Sequence, residues 1–391
     1  MPLKPYAKHL GTIYNIDLAA PPSRRWKQAA EDFGDNVHAL LANLEANLEE
    51  ELSSVGSFFL PRWVKKQTVR AGLLTAARIA RSFGRPYVKE CDAIADVVDV
   101  DADDLVAANL AYDLLGLSLR LPRLGCSSIS YDDSQGHPVL ARTLDWWIPE
   151  SIGEHSIHVR FHKGKEHYDA LSVAGFLGVL SAQRPDRWAM TVNMAPQGNA
   201  TARQIAQMPV CMHLRECADR ATTYDELCRK IQATQTGSPF FVHVVGIQPG
   251  ERTVITGHGE EYEQRDPEDG GPLIITNHHL DLQDDDQGMD ADYLEDSQKR
   301  YRVIERRLKR NPRPAIVSAA RLVDGSPVTN EFTQQSMVLS PTINYLDWKV
   351  LPNSDWEVCE VACPWCDCTL TIDKGVGTYK CDECGRDFDV K

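Results

Sequence analysis

Gly125-Cys126-Ser127-Ser128-Ile129-Ser130-Tyr131, a polar stretch Asp132-Asp133-Ser134-Gln135-Gly136, and then Pro138-Val139-Leu140-Ala141-Arg142-Thr143-Leu144-Asp145-Trp146 form the segment from which the chain is best read. Cys126 to Tyr131 and Pro138 to Leu144 are apolar or β-prone, and the residues between them carry turn chemistry, so the segment predicts a β-hairpin. Arg142 follows Cys126 by 16 residues and Asp145 by 19. A thiol on one strand therefore meets a cation and a carboxylate delivered by the next, which is the pairing a cysteine nucleophile needs.

Upstream of this hairpin the pattern is helical. Pro21-Pro22-Ser23 introduces Phe33, Val37, Leu40, Leu41, Leu44, Leu48 and Leu52, an i, i+3/i+4 series that predicts a long amphipathic helix with Ser23 as its cap. A second run follows Pro61 (Val69, Leu73, Leu74, Ala77, Ala80) and another covers Asp101 to Leu115, so the first 125 residues read as almost purely helical. Downstream the period becomes two: Ser156 to Phe161, Tyr168 to Val173, Trp188 to Asn193, Phe240 to Ile247, Thr253 to Thr256 and Leu273 to Asn277 predict strands. Helices are expected at Pro209 to Thr222, Tyr224 to Ala233, Ala291 to Lys309 and Pro314 to Val323. Bunched strands and bunched helices indicate α+β rather than alternating βαβ. The expected organisation is 1–125 as a helical proregion, 126–355 as the catalytic domain and 356–391 as a cysteine-rich tail.

With 391 residues, 42% of them hydrophobic, the chain can bury a full core. It has no apolar run of about eighteen residues, so no membrane span is expected. The net charge of −14 argues against a nucleic-acid partner. The opening residues lack the apolar stretch of a secretory signal, which gives a cytoplasmic expectation and reduced cysteines.

Six of the eleven cysteines lie between Cys359 and Cys384. Cys363-Pro364-Trp365-Cys366 and Cys381-Asp382-Glu383-Cys384 are two C-x-x-C knuckles separated by 14 residues, the spacing of a zinc ribbon. Four thiolates complete a tetrahedron and leave no open position, so the expected Zn2+ is structural. Such a ribbon is also a docking module for a protein partner. His278 and His279 have no companions at ligand spacing, and Trp146 and Trp147 read as the wall of an acyl pocket or as core.

The Gly125-Cys126-Ser127-Ser128-Ile129 start, the Arg142 and Asp145 offsets and Thr276-Asn277 resemble the cysteine branch of the N-terminal nucleophile hydrolases. The likeness covers roughly residues 12 to 350. It is greatest to the acid ceramidase and N-acylethanolamine acid amidase group, within the superfamily that also holds bile salt hydrolase and penicillin V acylase. Asn15 to Leu18, Pro21-Pro22 and Arg25-Trp26 are similar to the opening of that group's proregions.

This resemblance implies a four-layer αββα sandwich and a chain that cuts itself between Gly125 and Cys126, the helical proregion staying bound to the catalytic domain. It further implies that the freed α-amine, with an ordinary pKa of about 7.7 to 8.0, serves as the general base. Arg142 would favour the thiolate, Asp145 would hold the new amine, and Asn277 would donate its amide to the oxyanion. Asn193 would face the same sulfur and Arg300 would buttress the site. Where the group has Asn-Glu-Arg, this chain has Asn193-Met194-Ala195, so the resemblance carries the amide chemistry rather than a particular lipid amine. The implied activity is hydrolysis of a linear carbon-nitrogen amide in an N-acyl amine. An acyltransferase using the same thioester and a catalytically silent scaffold are the alternatives.

Overall fold

The computed structural model describes residues 12–54, 62–82, 85–110, 112–113, 124–146, 153–196, 207–258, 261–283, 288–330 and 332–350, together with four short strands within 358–390. The hairpin forms as read. β2 (Leu124–Asp132) pairs antiparallel with β3 (Pro138–Trp146), with Gly125 opposite Asp145, Cys126 opposite Leu144 and Ser128 opposite Arg142. Asp133 closes the turn, its Oδ1 accepting from the Gln135 and His137 main-chain N–H groups at 2.8 and 2.9 Å.

This hairpin lies inside a five-stranded sheet of order β11-β2-β3-β12-β13, where β11 is Leu273–Ile275, β12 is Thr333–Ser340 and β13 is Tyr345–Val350. Facing it is an eight-stranded sheet of order β1-β4-β5-β6-β7-β8-β9-β10. Its strands are β1 (Ile13–Asp17), β4 (Ser156–Lys163), β5 (Glu166–Val173), β6 (Ser181–Arg184), β7 (Trp188–Met194), β8 (Phe240–Val245), β9 (Arg252–His258) and β10 (Glu261–Arg265).

Helices cover the outer face of each sheet. On the eight-stranded side lie α1 (Pro22–Arg25), α2 (Lys27–Ser54), α3 (Arg62–Ser82), α4 (Pro86–Val98), α5 (Ala102–Ala108), α6 (Val210–Arg220) and α7 (Tyr224–Ile231). There Trp26, Phe33, Ile94, Leu105 and Leu214 share one core with Val159, Phe161, Met190 and Phe240. On the other side α8 (Ala291–Arg310) and α9 (Ala320–Val323) pack Ile304, Leu308 and Leu322 on Ile129, Val139 and Val338. The order is helix, sheet, sheet, helix: an α+β sandwich in which the alternation of the central strands serves two different layers.

Several expectations need correction. The N-terminal region is not purely helical, because β1 pairs in parallel with β4, Ile13 opposite His158 through Asp17 opposite His162. A parallel partner so distant in sequence leaves no local signal. Ser23 does not cap the long helix, since it lies within α1, which starts on Pro22 after Pro21. The strand from Leu273 stops at Ile275 rather than Asn277. Pro314 to Val323 resolves into a 3-10 turn, Ile316–Ser318, and then α9. In the tail, β14 (Val358–Ala362) pairs with β15 (Thr369–Asp373) and β16 (Gly377–Lys380) with β17 (Asp387–Val390). Cys363, Cys366, Cys381 and Cys384 lie outside the described residues.

One buried charge ties the N-terminal helices to the remainder. Glu90 on α4, 2% exposed, accepts from Arg25 Nη1 at 2.8 Å, Trp26 Nε1 at 2.6 Å and Arg215 Nη1 on α6 at 3.0 Å. The Arg215 guanidinium also lies 4.3 Å from the Phe161 ring centroid. Removing one partner of a buried pair strands the other charge, typically at about 3–5 kcal/mol. Glu90→Ala is therefore expected to lower the unfolding free energy by about that much, read as a fall in the urea midpoint at unchanged slope.

Candidate active site

Cys126, 2% exposed, occupies the inner face of β2 together with Ser128 and Ser130, as the period of two requires. Arg142 comes from β3 on the same face and is wholly buried. Its Nη2 donates to Cys126 Sγ at 3.4 Å and to the Val192 carbonyl at 2.9 Å, while Nη1 donates to Ser181 Oγ at 2.9 Å. Burial pushes the Cys126 thiol above its ordinary pKa, and Arg142 works in the opposite direction. The thiol accordingly remains protonated until a base takes its proton.

Asp145 is also fully enclosed, and burial pushes its carboxyl up while Arg300 and a hydrogen bond from Thr333 counteract it. That bond runs from Thr333 Oγ1 to Asp145 Oδ1 at 2.7 Å, and Oδ2 has no hydrogen-bond partner among the described residues. Oδ2 instead lies against Gly125. A Cβ at position 125 would sit 2.8 Å from Oδ2 and 3.0 Å from the Asp145 Cβ. Gly125 is thus a glycine because a carboxylate occupies the place of its side chain, at the peptide bond preceding Cys126.

Asn277 and Arg300 close around the other side of Cys126. The Cys126 main-chain N–H donates to Asn277 Oδ1 at 2.9 Å. Arg300 Nη2 donates to the same oxygen at 2.9 Å, and its Nη1 to the Cys126 carbonyl at 2.7 Å and to Ser127 Oγ at 3.0 Å. Asp296 Oδ2 accepts from Arg300 Nε at 2.8 Å. Arg302, the neighbouring register, bonds Gln298 on the exposed side of the helix.

Two residues take contacts other than those the resemblance implies. Asn277 Nδ2 donates to the Met194 carbonyl at 2.9 Å, so its side chain grips the nitrogen of Cys126 through its oxygen. Asn193 Nδ2 donates to the carbonyls of Thr276 at 3.1 Å and Ile275 at 3.4 Å rather than to the sulfur. The reason is local. β11 ends at Ile275, and the buried carbonyls beyond it need donors from the facing sheet. Ser181 on Arg142, Thr333 on Asp145 and Ser297 beside Asn277 escape sequence reasoning, since a lone hydroxyl on a distant element leaves no pattern.

An apolar cleft of about 80 Å³, partly open to solvent, reaches Trp146 at the end of β3. Val37, Leu40, Leu41 and Leu44 of α2 form one wall; Trp146, next in the chain to Asp145, and Phe176 form the other. Asn109 after α5 anchors the second wall, accepting from the Leu177 N–H at 2.7 Å and donating to the Gly175 carbonyl at 2.9 Å. Gly175, at φ +76°, faces Val37 and Leu105, where a Cβ would come within 3.1 Å of Val37 Cγ2. Trp147 lies outside the described residues.

No family model matches the chain. Curated proteins do. It is 28% identical over 251 residues to the N-acylethanolamine-hydrolyzing acid amidase of Caenorhabditis elegans, covering 62% of this chain and 66% of that protein. It is 23% identical over 363 residues to acid ceramidase of Heterocephalus glaber, covering 85% and 84% respectively. The chain is a homologue of these amidases. Against acid ceramidase of Homo sapiens the identity is 23% over 270 residues, and the chain spans just under two thirds of that relative's length (64%). The fold agrees as well: the solved Caenorhabditis elegans N-acylethanolamine-hydrolyzing acid amidase ortholog superposes with a TM-score of 0.50 at 24% identity, covering 58% of this chain and all of that one.

The Gly125 contact yields a stability test independent of any activity. In a chain kept whole by Cys126→Ala, Gly125→Ala must push Asp145 away from Thr333, and such overpacking typically costs about 1–3 kcal/mol. Denaturant titration of the two chains is expected to differ by that amount, and identical midpoints would mean that Asp145 does not press on Gly125.

Proposed function

We propose that this homologue is an autoprocessed cysteine amidase that hydrolyses the linear carbon-nitrogen bond of an N-acyl amine through a thioester on Cys126. The observation that carries the reading is the set of grips on one residue: Arg142 on its sulfur, Asn277 on its nitrogen, Arg300 on its carbonyl, and Asp145 against the glycine before it. A structural cysteine has no use for this arrangement. The amidase names of the relatives point the same way.

In processing, Cys126 Sγ attacks the Gly125 carbonyl, the Cys126 nitrogen leaves carrying the thiol's proton, and water hydrolyses the thioester to release the Gly125 carboxylate. The nitrogen is now an α-amine beside Asp145. In turnover the amine accepts the thiol proton, the thiolate adds to the substrate carbonyl, and the proton passes to the departing amine of the substrate. Water then cleaves the acyl thioester, returning thiol and carboxylic acid. For Asn277 to donate its amide to the tetrahedral oxyanion, as the resemblance implies, Nδ2 must turn from the Met194 carbonyl that it bonds at 2.9 Å; one such donor is typically worth about 2.7–4 kcal/mol. The cleft beside Trp146, lined almost wholly by apolar side chains, takes the acyl chain.

Intact-mass measurement of freshly purified protein is expected to give pieces of 125 and 266 residues, the second starting with cysteine. Cys126→Ala should remain one chain and hydrolyse no N-acyl amine. A wild-type chain that stays whole and releases no acid from a panel of N-acyl amines of varied chain length would sink the reading. Transfer of the acyl group to an added amine in preference to water would make the enzyme a transferase.

We propose in addition that the tail holds one structural Zn2+ through Cys363, Cys366, Cys381 and Cys384. Along the chain, Cys363 and Cys366 fall in the connection between β14 and β15, and Cys381 and Cys384 in that between β16 and β17. Two isolated strand pairs have too little apolar content to support folding without a metal. Elemental analysis should find about one zinc per chain, lost in Cys363→Ser; a full-length wild type without zinc after purification free of chelator would refute the assignment.

A further inference from the structure

We infer that Ser297 is a positioning residue for the nucleophile and acts through Asn277, an inference that rests on the amidase reading above. The ladder between β11 and β2 stops at Ile275 opposite Ser128. Asn277 lies beyond it, fully buried, and its main-chain N–H has lost the strand partner it would otherwise bond. Ser297 Oγ accepts that N–H at 2.8 Å. Ser297 belongs to α8 and is itself wholly buried.

Three residues on, Arg300 Nη2 donates to Asn277 Oδ1 at 2.9 Å. An i, i+3 pair lies on one face of a helix, so α8 holds Asn277 by its main chain and by its side chain at once. The oxygen fixed in this way is the one that receives the Cys126 N–H at 2.9 Å. Ser297 thereby sets where the nitrogen of Cys126 lies, and after cleavage that nitrogen is the base.

The hydroxyl is aimed by its neighbours. Ser297 donates its own hydrogen to Thr276 Oγ1 at 2.9 Å, which turns a lone pair toward the Asn277 N–H. His278 Nδ1 lies 3.0 Å from Thr276 Oγ1 and 2.9 Å from Ser297 Oγ, completing a buried triangle, and the His278 ring stands edge-on to Tyr301 at 5.8 Å between centroids. Ser297 touches neither sulfur nor substrate. Its effect is geometric, and small displacements of a reacting group are costly in rate.

The test uses the full-length chain, with active sites counted by a thiol-directed acyl probe so that misfolded material does not enter the rate. Ser297→Ala is expected to lower kcat per labelled site about tenfold, the loss of one buried hydrogen bond, with KM moving less than about twofold. Ser297→Thr, which retains the hydroxyl, should recover most of the rate. A residue that merely fastened helix to loop would lower the melting temperature of Ser297→Ala and leave kcat per site intact, and that outcome overturns the inference. Should Ser297→Ala yield no folded protein, Thr276→Val decides: removing the acceptor that aims the hydroxyl should cost several-fold in kcat, and an unchanged rate refutes the proposal. A wild type that neither cleaves itself nor takes the probe fails before any variant is made, which separates loss of the amidase reading from loss of this one.

Discussion

The register of one hairpin governs everything else in the molecule. With Ser128 opposite Arg142 and Gly125 opposite Asp145, the cation reaches the inner face beside Cys126 and the carboxylate reaches the peptide bond before it. A slip of one residue would send Arg142 into the layer occupied by Ile304 and Leu322, so the hydrophobic pattern that builds the helix side of β2 and β3 also enforces the chemistry on the other side. The turn at Asp133 and the antiparallel partner β12, with Met337 opposite Arg142, lock the same register from both flanks.

This arrangement has a cost, which the fold meets with hydrogen bonds. The space between the sheets holds Arg142, His243, Asn193 and Ser128 alongside an apolar patch of Leu140, Leu171 and Met337. His243, buried, bonds Ser128 through Nδ1 at 3.1 Å and Ser130 through Nε2 at 2.7 Å, joining the sheets beside the nucleophile. Its burial, with Arg265 and Arg252 adding to it, holds its pKa well below the ordinary value, so it bridges as a neutral ring. Buried polar groups are tolerable only when paired, and most of this layer is paired across sheets rather than within them. That cross-linking gives a dry and rigid setting to a thiol that burial alone would leave inert.

The same polar layer explains which strands sequence reasoning found. β4, β5, β7 and β8 alternate clear apolar positions against the outer helices and were legible. β6 (Ser181–Arg184) turns Ser181 and Gln183 inward, and β12 (Thr333–Ser340) mixes Gln335 with Met337 and Leu339 on its inner face and Ser336 with Val338 on its outer face, so no clean hydrophobic period marks them. β1 was hidden among helices because its partner is parallel and remote. At the site, Cys126, Arg142 and Asp145 were legible as a local pattern with fixed offsets. Asn277 and Arg300 required the family likeness, and Ser181, Ser297 and Thr333 were invisible because each acts through a single hydroxyl brought in by the tertiary fold.

By itself the sequence determined what depends on neighbours along the chain: the hairpin, the amphipathic helices, the α+β class, and a thiol, a cation and a carboxylate carried by the two strands of that hairpin. Only the tertiary structure decided what depends on separate elements meeting. It brought α8 to both ends of Asn277, turned that side chain's oxygen to the Cys126 nitrogen, and built an apolar cleft from α2, the end of α5, Trp146 and the segment from Val173 to Leu180. The division is physical. Periodicity and turn chemistry are local properties of a chain, whereas a buried hydrogen bond between residues 20 or 151 positions apart exists only once packing has excluded water from both.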